Sequence, residues 1–230
     1  HQDGHSHVLL SSVPNIVTYH PAFAYELAVI IREGMYRMYE KQENVFYYIS
    51  VGNENYAMPA MPEGVTEGIL KGIYKFKASD KKDSQLKAHL FGSESIINQA
   101  IEAQQILEEK YGVAADIWSV TSYNELRRDA LNAERTNLLN PTAPSKIPYI
   151  TQVLSKESGI TTFVSDNMKI LPDGILKWVP LPHAVLGTDG FGRSESREAL
   201  RDFFEVDAKH IVYATLVTLY RQKKIGQDVL

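Results

Sequence analysis

Strand-like and helix-like segments alternate along nearly the whole of this 230-residue chain, and this alternation constrains its fold most. The run VFYYIS at 45–50 is β-branched and aromatic, which is typical of a strand. Apolar residues recur at helical spacing from Phe23 to Met38 and again from Ile96 to Leu107, which predicts two amphipathic helices. Strands that alternate with helices favour a mostly parallel sheet covered by helices on both faces. The sequence therefore predicts the α/β class.

The remaining segments continue this alternation, with polar residues placed where helices begin. Ser122 or Asn124 can cap the helix around Leu126, and Asp207 can cap the last helix. The other predicted strands cover 14–19, 68–77, 86–91, 116–120, 149–154, 161–164 and 184–186, and the other helical pieces cover 166–170, 174–178 and a helix beginning near Ser194 or Ser196.

A stiff segment interrupts the pattern between Asn53 and Gly64, where the chain reads NENYAMPAMPEG. Pro59, Pro62 and the glycine disfavour regular secondary structure, so the segment is typical of an interdomain linker. The expected division is residues 1–56, a linker at 57–64, and a second unit at 65–230.

Composition excludes several classes of function. The chain has no cysteine, which rules out disulfides, thiolate nucleophiles and cysteine-bound zinc. Acidic and basic residues are interspersed with a formal charge of -4, so we expect neither a nucleic-acid partner nor a membrane surface. No apolar run reaches the length of a membrane span. A cytoplasmic location fits these observations.

The opening heptapeptide HQDGHSH concentrates three histidines, His1, His5 and His7, beside Asp3 and before the first apolar run. A metal site would use His5 and His7 on one face of an extended segment, with Asp3 beside them. A catalytic site would use one histidine as a proton carrier. A solvated terminus is the ordinary alternative, whereas the interrupted pattern does not match a purification tag. Because nothing precedes the cluster to position it, we expect the chain to be the C-terminal piece of a longer polypeptide.

Two glycine-containing loops complete the unusual features. The loop FGSES at 91–95 stands between a strand and a helix, where backbone amides can hold an anion, although a serine-capped turn is the simpler interpretation. The loop TDGFGRSES at 188–196 has two glycines around Phe191, and Asp189 and Arg193 have charges that can pair across the turn. The common phosphate-loop, HExxH, GxSxG and GxGxxG motifs are missing from the sequence.

Several blocks of the sequence resemble one family. This family is the homodimeric bacterial type of pyruvate dehydrogenase, the thiamine-dependent decarboxylating first component of the complex. The blocks that closely resemble it are HQDGHSH at 1–7, NENY at 53–56, MPAMPEG at 58–64, GTDGFGRS at 187–194 and FEVD at 204–207. The resemblance covers nearly the whole chain. The DxFGxS element alone would indicate only the wider transketolase superfamily.

The resemblance implies a three-domain parent enzyme. Residues 1–56 would end its pyrimidine-binding domain, and residues 65–230 would form a transketolase C-terminal-like domain. The family's signature for diphosphate and magnesium is Gly-Asp-Gly with a later Asn-Asn, because magnesium prefers oxygen ligands. Here Thr188-Asp189-Gly190 has a different first residue and no Asn pair follows. We therefore expect thiamine diphosphate and magnesium in the intact parent, but no cofactor on this chain alone.

The same resemblance implies roles for the opening histidines. His1 matches an active-site histidine of the family, whereas the transketolase pattern favours His7, and we rank His1 first, His7 second and His5 third. The implied reaction decarboxylates pyruvate and passes the acetyl unit to the lipoyl group of dihydrolipoamide acetyltransferase. The alternative is a noncatalytic module for dimerisation, docking or ligand sensing.

Overall fold

The computed structural model describes residues 3–230. The first part of the chain forms a βαβ unit after a short helix. Helix α1 spans Ser6–Leu10, strand β1 spans Ile16–Tyr19, helix α2 spans Ala24–Met35 with a π-helical turn to Glu40, and strand β2 spans Phe46–Ile49. Strands β1 and β2 pair in parallel, with Ile16 opposite Phe46. This is the arrangement expected when a helix crosses over between two parallel strands.

A five-stranded sheet forms the second part of the chain. Its strands are β3 (Ile73–Lys77), β4 (Lys87–Gly92), β5 (Ala114–Val120), β6 (Ile160–Val164) and β7 (His183–Leu186), in the order β3-β5-β4-β6-β7. Strands β5, β4, β6 and β7 are parallel, and β3 is the antiparallel edge strand. Every residue of β6 is buried, as expected for a central strand covered on both faces.

Helices cover both faces of this sheet. They are α3 (Thr66–Lys71), α4 (Ile97–Lys110), α5 (Tyr123–Leu139), α6 (Tyr149–Leu154), α7 (Ile170–Asp173), α8 (Arg197–Phe203) and α9 (Ala208–Arg221). One apolar core lies between the sheet, α4 and α9, and a second lies between the sheet, α5 and α6. The predicted α/β class is thus confirmed, with a mostly parallel sheet between two helical layers.

Two predicted strands differ from the structure. Residues 149–154, predicted as a strand, form helix α6, whose Ile150 and Leu154 pack into the second core. The strand predicted at 68–77 is wrong in its first half, where α3 continues to Lys71. Gly72 then takes a φ of 104°, which ends the helix and starts β3. A short apolar run has no period that distinguishes a strand from a buried helical turn, which explains both errors.

Three cap predictions agree with the structure, whereas the serine cap predicted in the loop at 91–95 is wrong, because the Ser93 hydroxyl donates to Ser165 and makes no cap hydrogen bond. The hydroxyl of Ser122 accepts a hydrogen bond from the backbone N–H of Glu125, at 3.0 Å, and starts α5. Ser196 caps α8, and Asp207 accepts from the backbone N–H of His210 at the start of α9.

Candidate active site

The candidate site lies where the parallel strands of both sheets end. Ser50 directly follows β2, Glu94 follows β4, and Asp166 follows β6. The carboxyl ends of parallel strands are where α/β sheets place binding groups, because the loops that follow them converge there. The two sheets therefore bring side chains from distant parts of the sequence to one place.

The structure places two of the three opening histidines in different environments. His1 lies outside the described residues. Asp3 lies just before α1, and its Oδ1 accepts hydrogen bonds from the backbone N–H groups of His5 and Ser6, at 3.2 and 3.0 Å. His5 is exposed, whereas His7 points into the protein and is only 2% exposed. The metal-site interpretation required an extended segment with His5 and His7 on one face. That conformation is wrong, because α1 begins directly after His5 and contains His7.

His7 is held by polar and aromatic contacts. Its Nε2 lies 2.8 Å from the Oγ of Ser50, and its ring packs edge-on against His20, with centroids 4.9 Å apart. Tyr48 packs against the same imidazole and donates a hydrogen bond from its hydroxyl to Asp3, at 3.1 Å. Burial lowers the pKa of His7 to about 4, although the charge of Asp3 opposes this shift. His7 is therefore a neutral imidazole at neutral pH.

Glu94 continues the hydrogen-bond chain from His7. The Ser50 hydroxyl donates to Oε1 of Glu94, so that His7, Ser50 and Glu94 are linked in series. The backbone of Glu94 has a φ of 50°, a left-handed conformation that non-glycine residues seldom adopt. Burial raises the pKa of the Glu94 carboxyl to about 7, and the Ser50 hydrogen bond opposes this rise.

A cavity of about 800 Å³ opens beside these groups. Asp166 faces it, and burial raises the pKa of this carboxyl to about 6, against the attraction of Arg201. Arg201 is itself bound to Glu54. The cavity is lined by Asp3, Ser50, Val51, Gly52, Asn53, Glu54, Glu94, Ser95, Asp166, Arg193, Ser194, Glu195, Ser196, Arg197, Leu200 and Arg201. Arg193, Arg197 and Arg201 line this cavity together with the carboxyl groups, and the anion site suggested for the FGSES loop stays a prediction.

The glycine loop after β7 forms a different ion pair from the one predicted. Asp189 contacts the ammonium of Lys169, at 3.1 Å, and accepts from the backbone N–H of the same residue, at 2.9 Å. The guanidinium of Arg193 instead lies over the ring of Phe203, 4.3 Å from its centroid. The predicted pairing of Asp189 with Arg193 is therefore wrong, because each residue has a partner from outside the loop.

Two side-chain clusters in the part of the chain from Asp3 onward have ligand atoms close enough for a metal ion, and neither lies at this cavity. In the first, composed of His89, Asp116 and Glu157, the ammonium of Lys75 already contacts both carboxylates, at 2.7 and 2.8 Å. The second consists of Asp202, Asp207 and His210. Magnesium beside a diphosphate requires oxygen ligands next to anion-binding amides, and neither cluster offers this combination. Neither of these two clusters therefore fits the magnesium of the implied family's cofactor.

The comparisons with known proteins assign a family to the fold. Residues 72–207 match the transketolase-like TK C-terminal domain, and residues 1–59 match the middle domain of the pyruvate dehydrogenase E1 component. The chain belongs to the transketolase C-terminal domain family. Within that class, it corresponds to the C-terminal part of pyruvate dehydrogenase E1 components, as the sequence blocks predicted.

The sequence relatives agree along the whole chain. The pyruvate dehydrogenase E1 component of Pseudomonas aeruginosa is 50% identical over 231 residues, which cover 100% of this chain. The same component of Escherichia coli K12 is 49% identical over 232 residues, again covering 100% of the chain. In both cases the chain spans 26% of the relative's length.

Solved transketolases share the fold at low sequence identity. A transketolase from Pichia stipitis has a TM-score of 0.64 and 18% identity, covering 97% of this chain and 28% of that protein. A split-gene transketolase, described as an inactive beta4 tetramer, has a TM-score of 0.56 and 16% identity, with 92% and 60% covered. Between Asp3 and Leu230, none of the helices has the length and apolar character needed to cross a bilayer.

Sequence reasoning missed three residues that line the cavity, Ser50, Glu94 and Asp166. Ser50 was only the last residue of a predicted strand, and Glu94 was only part of a capped turn. The available signal was the position of Ser50, Glu94 and Asp166 after three predicted strands, since such positions converge in a parallel sheet.

Proposed function

We propose that this chain functions as part of a pyruvate dehydrogenase that decarboxylates pyruvate with thiamine diphosphate and magnesium. The proposal includes a homodimeric, cytoplasmic parent enzyme that transfers the acetyl unit to the lipoyl group of dihydrolipoamide acetyltransferase. The observation that carries it is the 50% identity to an E1 component over the whole of this chain. Because the chain spans 26% of that relative, the activity is proposed for the intact parent.

In this proposal, His1 is the first candidate for contact with the substrate. A histidine can hydrogen-bond a substrate carboxylate or carry a proton to a carbanion-like intermediate. Two positions further along the chain, Asp3 accepts hydrogen bonds from the backbone N–H of Ser6 and from the Tyr48 hydroxyl.

The cofactor belongs to other parts of the proposed parent enzyme. Thiamine diphosphate supplies the electron sink for loss of carbon dioxide when it is bound. Neither candidate metal cluster among residues 3–230 suits its magnesium, and we propose that this chain alone does not hold the cofactor. The chain's contribution is then the histidine segment, together with the domain that follows.

The test is to replace His1, His5 and His7 by Ala, one at a time, in the intact parent enzyme. We expect His1→Ala to lower kcat by about 10²-fold or more, the usual effect of removing one acid-base or electrostatic group. Thiamine affinity should change little, because the histidine would act after the cofactor binds. Steady-state kinetics with pyruvate and a titration of thiamine diphosphate measure the two effects separately.

The three variants also distinguish the alternative assignments. A His1→Ala enzyme with the wild-type rate beside an inactive His7→Ala enzyme would transfer the role to His7. Wild-type rates in all three variants would contradict a catalytic role for the opening segment. An intact wild-type protein that does not decarboxylate pyruvate would contradict the proposed function itself.

A further inference from the structure

We infer that Glu94 is a positioning residue that sets the direction of the Ser50 hydroxyl and, through it, the tautomer of His7. The inference rests on the proposed function only in making His7 relevant to a reaction. Its physical basis is the hydrogen-bond series from His7 Nε2 through Ser50 Oγ to Glu94 Oε1. Glu94 and Ser50 line the cavity, whereas His7 is buried behind them.

The number of hydrogens in this series determines its direction. Ser50 has one hydroxyl hydrogen, and an ionised carboxylate can only accept it. The Ser50 oxygen must then accept from His7, which places the ring proton on Nε2. The other nitrogen, Nδ1, keeps its lone pair and has no hydrogen-bond partner among residues 3–230. Ionised Glu94 therefore leaves His7 with an available acceptor on Nδ1.

Loss of the charge on Glu94 allows the opposite direction. A protonated carboxyl can donate to the Ser50 oxygen, and the serine can then donate to Nε2 of His7. In that state the ring proton moves to Nδ1. Because burial raises the pKa of Glu94 to about 7, both directions are accessible near neutral pH. The tautomer of His7 would thus follow the charge of a residue that does not touch it.

The backbone of Glu94 indicates that this carboxyl is held in place by its surroundings. Its φ of 50° is unfavourable for a residue with a β-carbon, and glycine would adopt it freely. Such conformations persist where neighbouring structure enforces them, often at functional sites. Here the conformation accompanies a carboxyl directed toward Ser50.

Other charged and titratable groups surround His7, Ser50 and Glu94 and influence the pKa values of His7 and Glu94. The charges of Asp3 and Asp166 raise the pKa of Glu94. His20 and Tyr48 pack on the His7 ring. Arg201 and Glu54 act on Asp166 with opposite signs, at the edge of the cavity. The tautomer is a better readout than protonation, because the pKa of His7, about 4, keeps the ring neutral from about pH 5 upward.

The experiment measures the nitrogen and carbon chemical shifts of the His7 ring by NMR, in the 230-residue chain labelled at histidine. His7→Gln identifies the signals. Glu94→Gly removes the carboxyl while suiting the backbone angle, and Glu94→Gln removes only the charge. Glu205→Gly is the matched control, since Glu205 also has a positive φ, of 60°, but is exposed and outside this series.

Above about pH 8, where Glu94 is ionised, we expect the wild type to hold the proton on Nε2 and to shift toward Nδ1 as the pH falls below about 7. Glu94→Gly should lose the Nε2 preference at high pH, and Glu94→Gln should lose the pH dependence. Glu205→Gly should match the wild type. The inference is overturned if the folded Glu94→Gly chain keeps the wild-type tautomer and pH response. If that variant does not fold, an unchanged pH response in Glu94→Gln overturns it.

Neither pyruvate nor thiamine diphosphate enters this measurement. A tautomer that follows Glu94 therefore supports the inference even if the intact protein proves inactive toward pyruvate. Conversely, an active parent enzyme whose His7 ignores Glu94 contradicts only the inference.

Discussion

At the scale of single residues, His7 and Glu94 make stability depend on pH in opposite directions. The folded-state pKa of His7 falls from 6.5 to about 4, so folding with a neutral ring is fully favourable above pH 6.5 and becomes costly as the pH falls. The folded-state pKa of Glu94 rises from 4.5 to about 7, so its contribution is most favourable below pH 4.5 and is lost as the pH rises to about 7. Each pKa shift corresponds to about 3 kcal/mol of unfolding free energy. The two contributions partly offset each other between pH 4.5 and 6.5, where both groups titrate.

Replacing His7 by Gln should separate these two contributions. A glutamine amide can reach Ser50 much as Nε2 does, but it does not titrate. Between pH 6.5 and about 4, we expect the wild type to lose about 3 kcal/mol more of its free energy of unfolding than His7→Gln does. Urea unfolding at several pH values in this interval measures the difference. Parallel curves for the two proteins would show that the burial of His7 does not lower its pKa.

At the scale of secondary-structure elements, local chemistry was predictable and long-range placement was not. The caps Ser122, Ser196 and Asp207 could be predicted because an N-cap depends on residues three positions apart. Helix α6 could not, since its six residues show no helical period and its conformation depends on packing against α5.

The candidate site was predictable only in part for a related reason. The histidine segment stood out as a cluster in the sequence, which is local information. Ser50 and Glu94 are 44 positions apart, and they meet because two separate sheets end at the same cavity. No periodic pattern within either strand encodes the distance between the sheets.

The turn between α3 and β3 offers a test at this scale. Gly72 has a φ of 104°, and a β-carbon there would lie 2.4 Å from the backbone oxygen of Ser122. Gly112, two residues after the end of α4, also has a positive φ, of 65°, but a β-carbon there would meet nothing within 4 Å. We expect Gly112→Ala to cost about 1 kcal/mol of unfolding free energy, from the backbone angle alone. Gly72→Ala should cost about 3 kcal/mol or more, because the start of α5 must also move.

Denaturant midpoints of the two variants, compared with the wild type, measure these costs. Equal destabilisation by the two substitutions would contradict the close contact between Gly72 and the start of α5. Both positions have a positive φ, so the comparison removes the part of the backbone cost that they share.

At the scale of the whole molecule, the proposed units at 1–56 and 65–230 share their apolar cores. Phe23 packs into the core formed by α4 and α9, and Ile69 packs into the core of the first unit. Polar contacts also join them, since the buried carboxylate of Glu26 accepts from the hydroxyls of Tyr74 and Ser119, both at 2.6 Å. The two units therefore share one continuous interior. Separating them would expose apolar surface and the buried carboxylate of Glu26.

Limited proteolysis tests this combination of a linker and a shared core. The segment 57–60 is exposed and lies outside helices and strands, whereas Glu54 and Tyr56 before it are tied to Arg201 and to the backbone of Ala22. We therefore expect the first cuts to fall between 57 and 64 and to leave a resistant piece that begins near Val65. The two pieces should stay together in native gel filtration and separate only in denaturant, because cleavage removes no core contact. First cuts within α8 or α9 would contradict the linker, and separation of the pieces without denaturant would contradict the shared core.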